Sequence, residues 1–114
     1  QEKDVVDGIL AGSRIDAAAA LGDVVGAAQG LDFLFQHGFP VDATRFNSAI
    51  HACSIAKAPM HEPARYFYKE MIRKGLEPDM ATFGSLFGAH QQAPLQSVLD
   101  VWSAAKERGI RPNG

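Results

Sequence analysis

Any covalent or metal chemistry in this chain would have to draw on four histidines, His37, His51, His61 and His90, and on its single cysteine, Cys53. No two of the histidines stand four residues apart, the spacing that sets two metal ligands on one helical face. His51 and Cys53 are two residues apart, which on a helix sends them to nearly opposite sides. Cys53 continues an apolar stripe with Phe46, Ala49 and Ile50, so the thiol reads as a buried, inert group rather than a nucleophile. A lone cysteine also excludes an intrachain disulfide and any multi-cysteine zinc or iron–sulfur site. No serine elbow, glycine-rich phosphate loop or paired H-x-E and C-x-x-C is present. The sequence therefore predicts no catalytic residue, no metal site, no cofactor and no small-molecule substrate.

The aromatic side chains are the other candidates for chemistry, here the stacking of flat ligands. Phe67, Tyr68, Phe87 and Trp102 fall on inward stripes and are expected in the core. Tyr66 falls off the stripe and is the candidate protein contact.

These residues need elements to position them. The chain has 114 residues, of which 46% are apolar, enough for one compact domain or a short repeat array. The formal net charge is −2, so no overall basic field points to nucleic acid or an anionic membrane. The charge is uneven: residues 1 to 42 hold two basic and seven acidic residues, a net of −5, and the remainder carries +3. An anionic partner would meet the C-terminal two thirds, unless those bases merely solvate helices. The longest apolar run, Ala17 to Leu21, is far short of the ~20 residues that cross a bilayer. An opening on Gln1 and an acidic stretch suits a processed form or a fragment.

A repeat organises the chain. GFPVD at 38 to 42, GLEPD at 75 to 79 and GIRPN at 109 to 113 share one pattern, with 37 residues from Gly38 to Gly75 and 34 from Gly75 to Gly109. Ahead of each glycine runs an amphipathic stretch: Val24, Ala27, Leu31, Leu34 and Phe35; Ala64, Phe67, Tyr68 and Met71; Leu95, Val98, Val101, Trp102 and Ala105. Pro63 and Pro94 suit first turns. The glycines suit left-handed helix ends, with Pro78 and Pro112 preventing resumption. A second stripe follows each link, Phe46, Ala49, Ile50 and Cys53, then Phe83, Leu86 and Phe87. The expected fold is all-α, a short right-handed solenoid of about three helix-turn-helix repeats. Its parts are an acidic N-terminal segment (1–13), a degenerate capping repeat (14–42) with a first helix from Arg14 to Leu21, and two regular repeats (43–79 and 80–113). Gly8, Gly12, Gly22, Gly26 and Gly30 weaken the helical reading of the first unit, because glycine inside a helix costs up to about 1 kcal/mol relative to alanine.

Arg45-Phe46-Asn47-Ser48-Ala49-Ile50 opening one unit, Gly75-Leu76-Glu77-Pro78-Asp79 closing it, Thr82-Phe83-Gly84-Ser85-Leu86 opening the next and Gly109-Ile110-Arg111-Pro112-Asn113 closing that one resemble the pentatricopeptide repeat. Tetratricopeptide repeats have a similar length, but their tryptophan, leucine-glycine, tyrosine signature is missing from both units. The resemblance implies a binding module that reads single-stranded RNA about one base per repeat, in a mitochondrion or plastid. It assigns base contact to Asn47 with Asp79, a pair that would favour a pyrimidine, typically uracil. It assigns the next pair to Gly84 with Asn113, where glycine has nothing to read a base with, and gives Asp42 to the first repeat. Thr44 and Ala81 take the place of the side chain that wedges between bases. Arg45 and Lys57 are the cations expected on the concave helix; Lys69, Arg73, Lys106 and Arg108 belong to the convex one. Beside this stands a plainer reading in which Asp42 and Asp79 are helix N-caps and Asn47 a polar first-turn residue. The alternative function is a protein scaffold, a structural or adaptor subunit of a large organellar assembly such as a ribosome or a photosynthetic or respiratory complex.

Overall fold

The structure, a computed structural model, describes residues 2–58 and 60–110. It holds six helices, α1 (Glu2–Leu21), α2 (Val24–Gln36), α3 (Ala43–Ile55), α4 (His61–Arg73), α5 (Met80–Ala89) and α6 (Leu95–Glu107), and no strand among the described residues. They form three hairpins, α1–α2, α3–α4 and α5–α6. The first helices make one row, α1 packed on α3 and α3 on α5. The second helices make another, in which α2 also touches α3 and α4 also touches α5. The stack measures 47 × 29 × 22 Å.

Each second helix stops by the same device. Gly38, Gly75 and Gly109 have φ of 72°, 78° and 72°, the left-handed region that a side chain would strain. Their N–H groups donate to Phe35, Ile72 and Lys106, and the next residues, Phe39, Leu76 and Ile110, donate back to Leu34, Met71 and Ala105. This is the Schellman closure, with its apolar residue past the glycine folded against the core. The expected glycine stops are thus present at all three links. Starts are set by aspartates: Asp23, Asp42 and Asp79 accept from the backbone N–H of Gly26, Arg45 and Thr82 and cap α2, α3 and α5.

The core runs along the row of first helices. Ile15, Phe46, Ile50, Phe83 and Leu86 from that row are buried together with Leu31, Leu34, Phe67 and Met71 from the second. Removing such side chains from water contributes about 1.5–3 kcal/mol each, so the hairpins hold one another in place. Two expectations need correction. Helix α1 begins at Glu2, not at Arg14, and Ala11 and Gly12 are buried, so residues expected to form a separate acidic segment belong to the stack. The glycines that seemed to weaken the first unit are packing positions. A Cβ on Gly30 would lie 2.5 Å from Ile15 Cγ1, and one on Gly12 would lie 2.8 Å from the Arg45 guanidinium. Gly22, with φ of 70°, ends α1 just before the Asp23 cap.

Helix α6 sits more shallowly than its stripe predicts. Only Val101 and Ala105 are buried, Leu95 is 72% exposed, and Trp102, expected in the core, is 38% exposed with its ring 5.2 Å from Phe87. The reason is positional: α6 packs closely on α5 and meets α4 only across a shallow cleft, where Arg65 reaches Asp100, so only part of its stripe is covered.

Candidate functional site

The polar centre of the molecule joins two repeats. Asn47 lies in α3, half-buried, on the row of first helices; Asp79 is the exposed N-cap of α5; Thr82, one turn into α5, is fully buried. The Asp79 carboxylate accepts from the Thr82 N–H at 3.0 Å, and the Asp79 N–H donates to Thr82 Oγ1 at 3.0 Å, a reciprocal capping box. Asn47 bridges into it from the preceding repeat. Its Nδ2 donates to Asp79 Oδ1 in a long bond of 3.3 Å, and Thr82 Oγ1 donates to Asn47 Oδ1 at 2.5 Å. The backbone bond from Thr82 does most to hold the Asp79 carboxyl below the usual aspartate range, against a smaller opposing effect of burial; the Thr82 hydroxyl and Asn47 amide add to the lowering. Asp79 is therefore an anion that can only accept hydrogen bonds at neutral pH.

The arrangement brings together the two residues that sequence paired, Asn47 and Asp79, and adds Thr82. An aspartate followed three residues later by a threonine at a helix start is itself a capping signal that could have pointed to it. The amide is left with one N–H and one lone pair uncommitted, a donor and an acceptor side by side.

The other expected contacts distribute differently. Asp42 is a cap for α3, accepting from Arg45 N–H at 3.1 Å. Thr44 is exposed beside it. The Arg45 side chain, expected to reach a phosphate, instead meets Asp16 of α1 with Nη1 at 2.7 and 2.8 Å from its two oxygens, and it lies over Gly12. It is a tie between the first two hairpins. Lys57, expected on a first helix, lies in the bend after α3. Gly84 occupies in α5 the place of Asn47 in α3, with open space where a side chain would project. Asn113 lies outside the described residues. Tyr66 is 60% exposed on α4 and borders a cleft against α2 lined by Ala28, Leu31, Phe35 and Phe67.

Among the described residues no three His, Cys, Asp or Glu side chains come together as metal ligands. Cys53 is buried, its Sγ 3.5 Å from the Ala49 carbonyl oxygen, and burial pushes its thiol up to about 12. His51 points outward on the other side of α3. No helix is long and apolar enough to cross a membrane among the described residues.

Comparison with known proteins matches residues 66–114 to the family model described as pentatricopeptide repeat domain. The matched stretch runs from within α4 through α5 and α6. No curated protein matches the chain.

Proposed function

We propose, from the match of residues 66–114 to the pentatricopeptide repeat domain, that the three hairpins form a non-catalytic module that binds single-stranded RNA in a plastid or mitochondrion, with Asn47 and Asp79 contacting one base. What carries this reading is the Asn47–Asp79 hydrogen bond across two repeats, which presents a half-free amide on the row of first helices beside an anion. A donor and acceptor on one planar group suit the Watson–Crick edge of an unpaired pyrimidine. Asp42 and Asp79 keep their capping roles, since a carboxylate has lone pairs enough for a cap and a water or base. Thr44 borders the site as a weak wedge. Few cations support the backbone, because Arg45 is engaged with Asp16, so affinity is low and base contact counts for more.

The scaffold reading rests on a different observation: Tyr66 and its apolar cleft lie on the second row, away from Asn47. Binding of the purified chain to short random-sequence single-stranded RNA, followed by fluorescence anisotropy, separates the two. Asn47→Ala is expected to lower affinity about tenfold, equivalent to ~1.4 kcal/mol. Absence of RNA binding by the unaltered chain, with a native organellar particle whose size resists ribonuclease and falls on Tyr66→Ala, would establish the scaffold instead.

A further inference from the structure

We propose that Thr82 is a positioning residue: its hydroxyl fixes which way round the Asn47 amide faces a base, so that reading by one repeat depends on the third residue of the next. The inference rests on the RNA-binding reading of Asn47 given above and deepens it.

An asparagine amide has two orientations related by a half-turn, which exchange its oxygen and its NH2. Around Asn47 they are not equivalent. The Thr82 hydroxyl has one proton and two lone pairs. One lone pair accepts from the Asp79 N–H at 3.0 Å. The proton is shared between two acceptors, Asn47 Oδ1 at 2.5 Å and Asp79 Oδ1 at 3.1 Å, and the shorter contact takes the larger part. The carboxylate already receives the Thr82 backbone N–H. With the hydroxyl on one side of the amide and the carboxylate on the other, the oxygen of Asn47 faces the donor and its nitrogen faces the acceptor. A half-turn would set the amide oxygen against the Asp79 carboxylate, oxygen to oxygen. It would also withdraw from the Thr82 proton its nearest acceptor. Thr82 is fully buried in the capping box, so its hydroxyl has no water to turn to and cannot move aside.

Orientation matters because of what pyrimidines present. Uracil offers a carbonyl acceptor beside a ring N–H donor; cytosine offers an amino donor beside a ring acceptor, the same pair in the reverse order. On a base held at one angle, an amide locked one way matches one of the two, and an amide free to turn matches both. Affinity for pyrimidines is therefore set by Asn47, and discrimination between them by the two groups that hold its amide, the Asp79 carboxylate and the Thr82 hydroxyl; Thr82→Val removes the second of these. In the following repeat Gly84 stands where Asn47 does, and there is no amide to orient.

The test uses Thr82→Val, which keeps the shape of the buried side chain and removes the hydroxyl, with Thr82→Ser as the rescue and thermal melts of both as fold controls. In the free protein, NMR of the Asn47 side-chain NH2 is expected to show two well-separated, slowly exchanging protons in the unaltered chain and in Thr82→Ser. In Thr82→Val they are expected to broaden and exchange faster. Unchanged Asn47 signals in folded Thr82→Val would overturn the proposal whatever RNA does. In binding to uracil-only and cytosine-only oligonucleotides, the affinity ratio is expected to move at least threefold toward one in Thr82→Val and to recover in Thr82→Ser. A ratio held at its original value in Thr82→Val, with binding retained, would likewise overturn it. If the unaltered chain binds neither oligonucleotide, the base-contact reading fails, and with it the discrimination role; the NMR result then decides separately whether Thr82 orients the amide.

Discussion

His90 closes α5 with its ring 1% exposed, Nδ1 2.7 Å from the Leu86 carbonyl oxygen and Nε2 buried without a partner. The carbonyl requires the proton on Nδ1, which leaves Nε2 bare. Burial pushes the pKa below the ordinary histidine value; the neighbouring charges of His61 and Arg65 push the same way, and the Leu86 bond opposes them. Below about pH 6.5 the unfolded chain therefore binds a proton that the folded one refuses, and stability falls as the pH drops from there toward the folded pKa. We expect the urea midpoint to decrease between pH 7 and pH 5, and His90→Gln to flatten that slope; equal slopes in the two proteins would mean the ring is protonated in the folded state. Cys53 gives a second expectation at this scale. A thiol held near 12 carries almost no thiolate at pH 8, so a thiol-specific reagent should label it only after denaturation. The burial of Cys53 and the capping by Asp42 and Asp79 were legible in the sequence, because helical period and start signals are local. The Asp16 partner of Arg45 and the Thr82 hydroxyl at Asn47 were not, because both cross from one hairpin to the next and periodicity carries no record of partners 29 and 35 residues away.

At the level of helices, glycine provides a paired prediction of opposite sign. Gly30→Ala would place a methyl against Ile15 and within 3.2 Å of the Ala11 carbonyl oxygen, and is expected to cost about 1–3 kcal/mol of stability through overpacking of α1 on α2. Gly84→Ala meets nothing within 4 Å and should gain up to about 1 kcal/mol from helix propensity. Chemical denaturation of the two variants checks both; destabilisation by Gly84→Ala would show that the open space is filled. Here the sequence pattern misled, since glycine weakens an isolated helix and yet permits two helices to approach, and only the neighbour decides which effect wins. The same holds for α6. Its stripe is as periodic as those of α2 and α4, yet its burial ends at Val101 and Ala105. Amide hydrogen exchange should accordingly find α6 the least protected of α3 to α6 and α3 the most protected, because α3 packs against four other helices.

Across the molecule, acidic residues concentrate in the first 42 positions and the net charge is −2. RNA held mainly through a base rather than through phosphates should lose affinity slowly with salt. We expect a slope of log affinity against log salt shallower than about −2, as for at most two or three neutralised phosphates; a steep slope would move the interface to the basic second-row helices. The overall architecture was read correctly because the glycine links repeat in register and each stripe needs a neighbour. The unequal packing of the two rows could not be read that way. First helices lie directly on one another, whereas second helices do not pack together closely. The links between second helices are side-chain contacts at the surface: Lys74 4.4 Å over the Phe35 ring and Arg65 3.7 Å from Asp100, contacts that add little rigidity in water. One edge of the stack is thus stiff and the other compliant, as in a leaf spring clamped along one side. A bend that opened or closed the clefts between α2 and α4 or between α4 and α6 would therefore disturb less packing than one that parted the first helices. If a strand lies along the first helices as proposed, we expect the curvature of the stack to adjust to it through the loosely packed edge while the hydrogen-bonded junction at Asn47 stays whole.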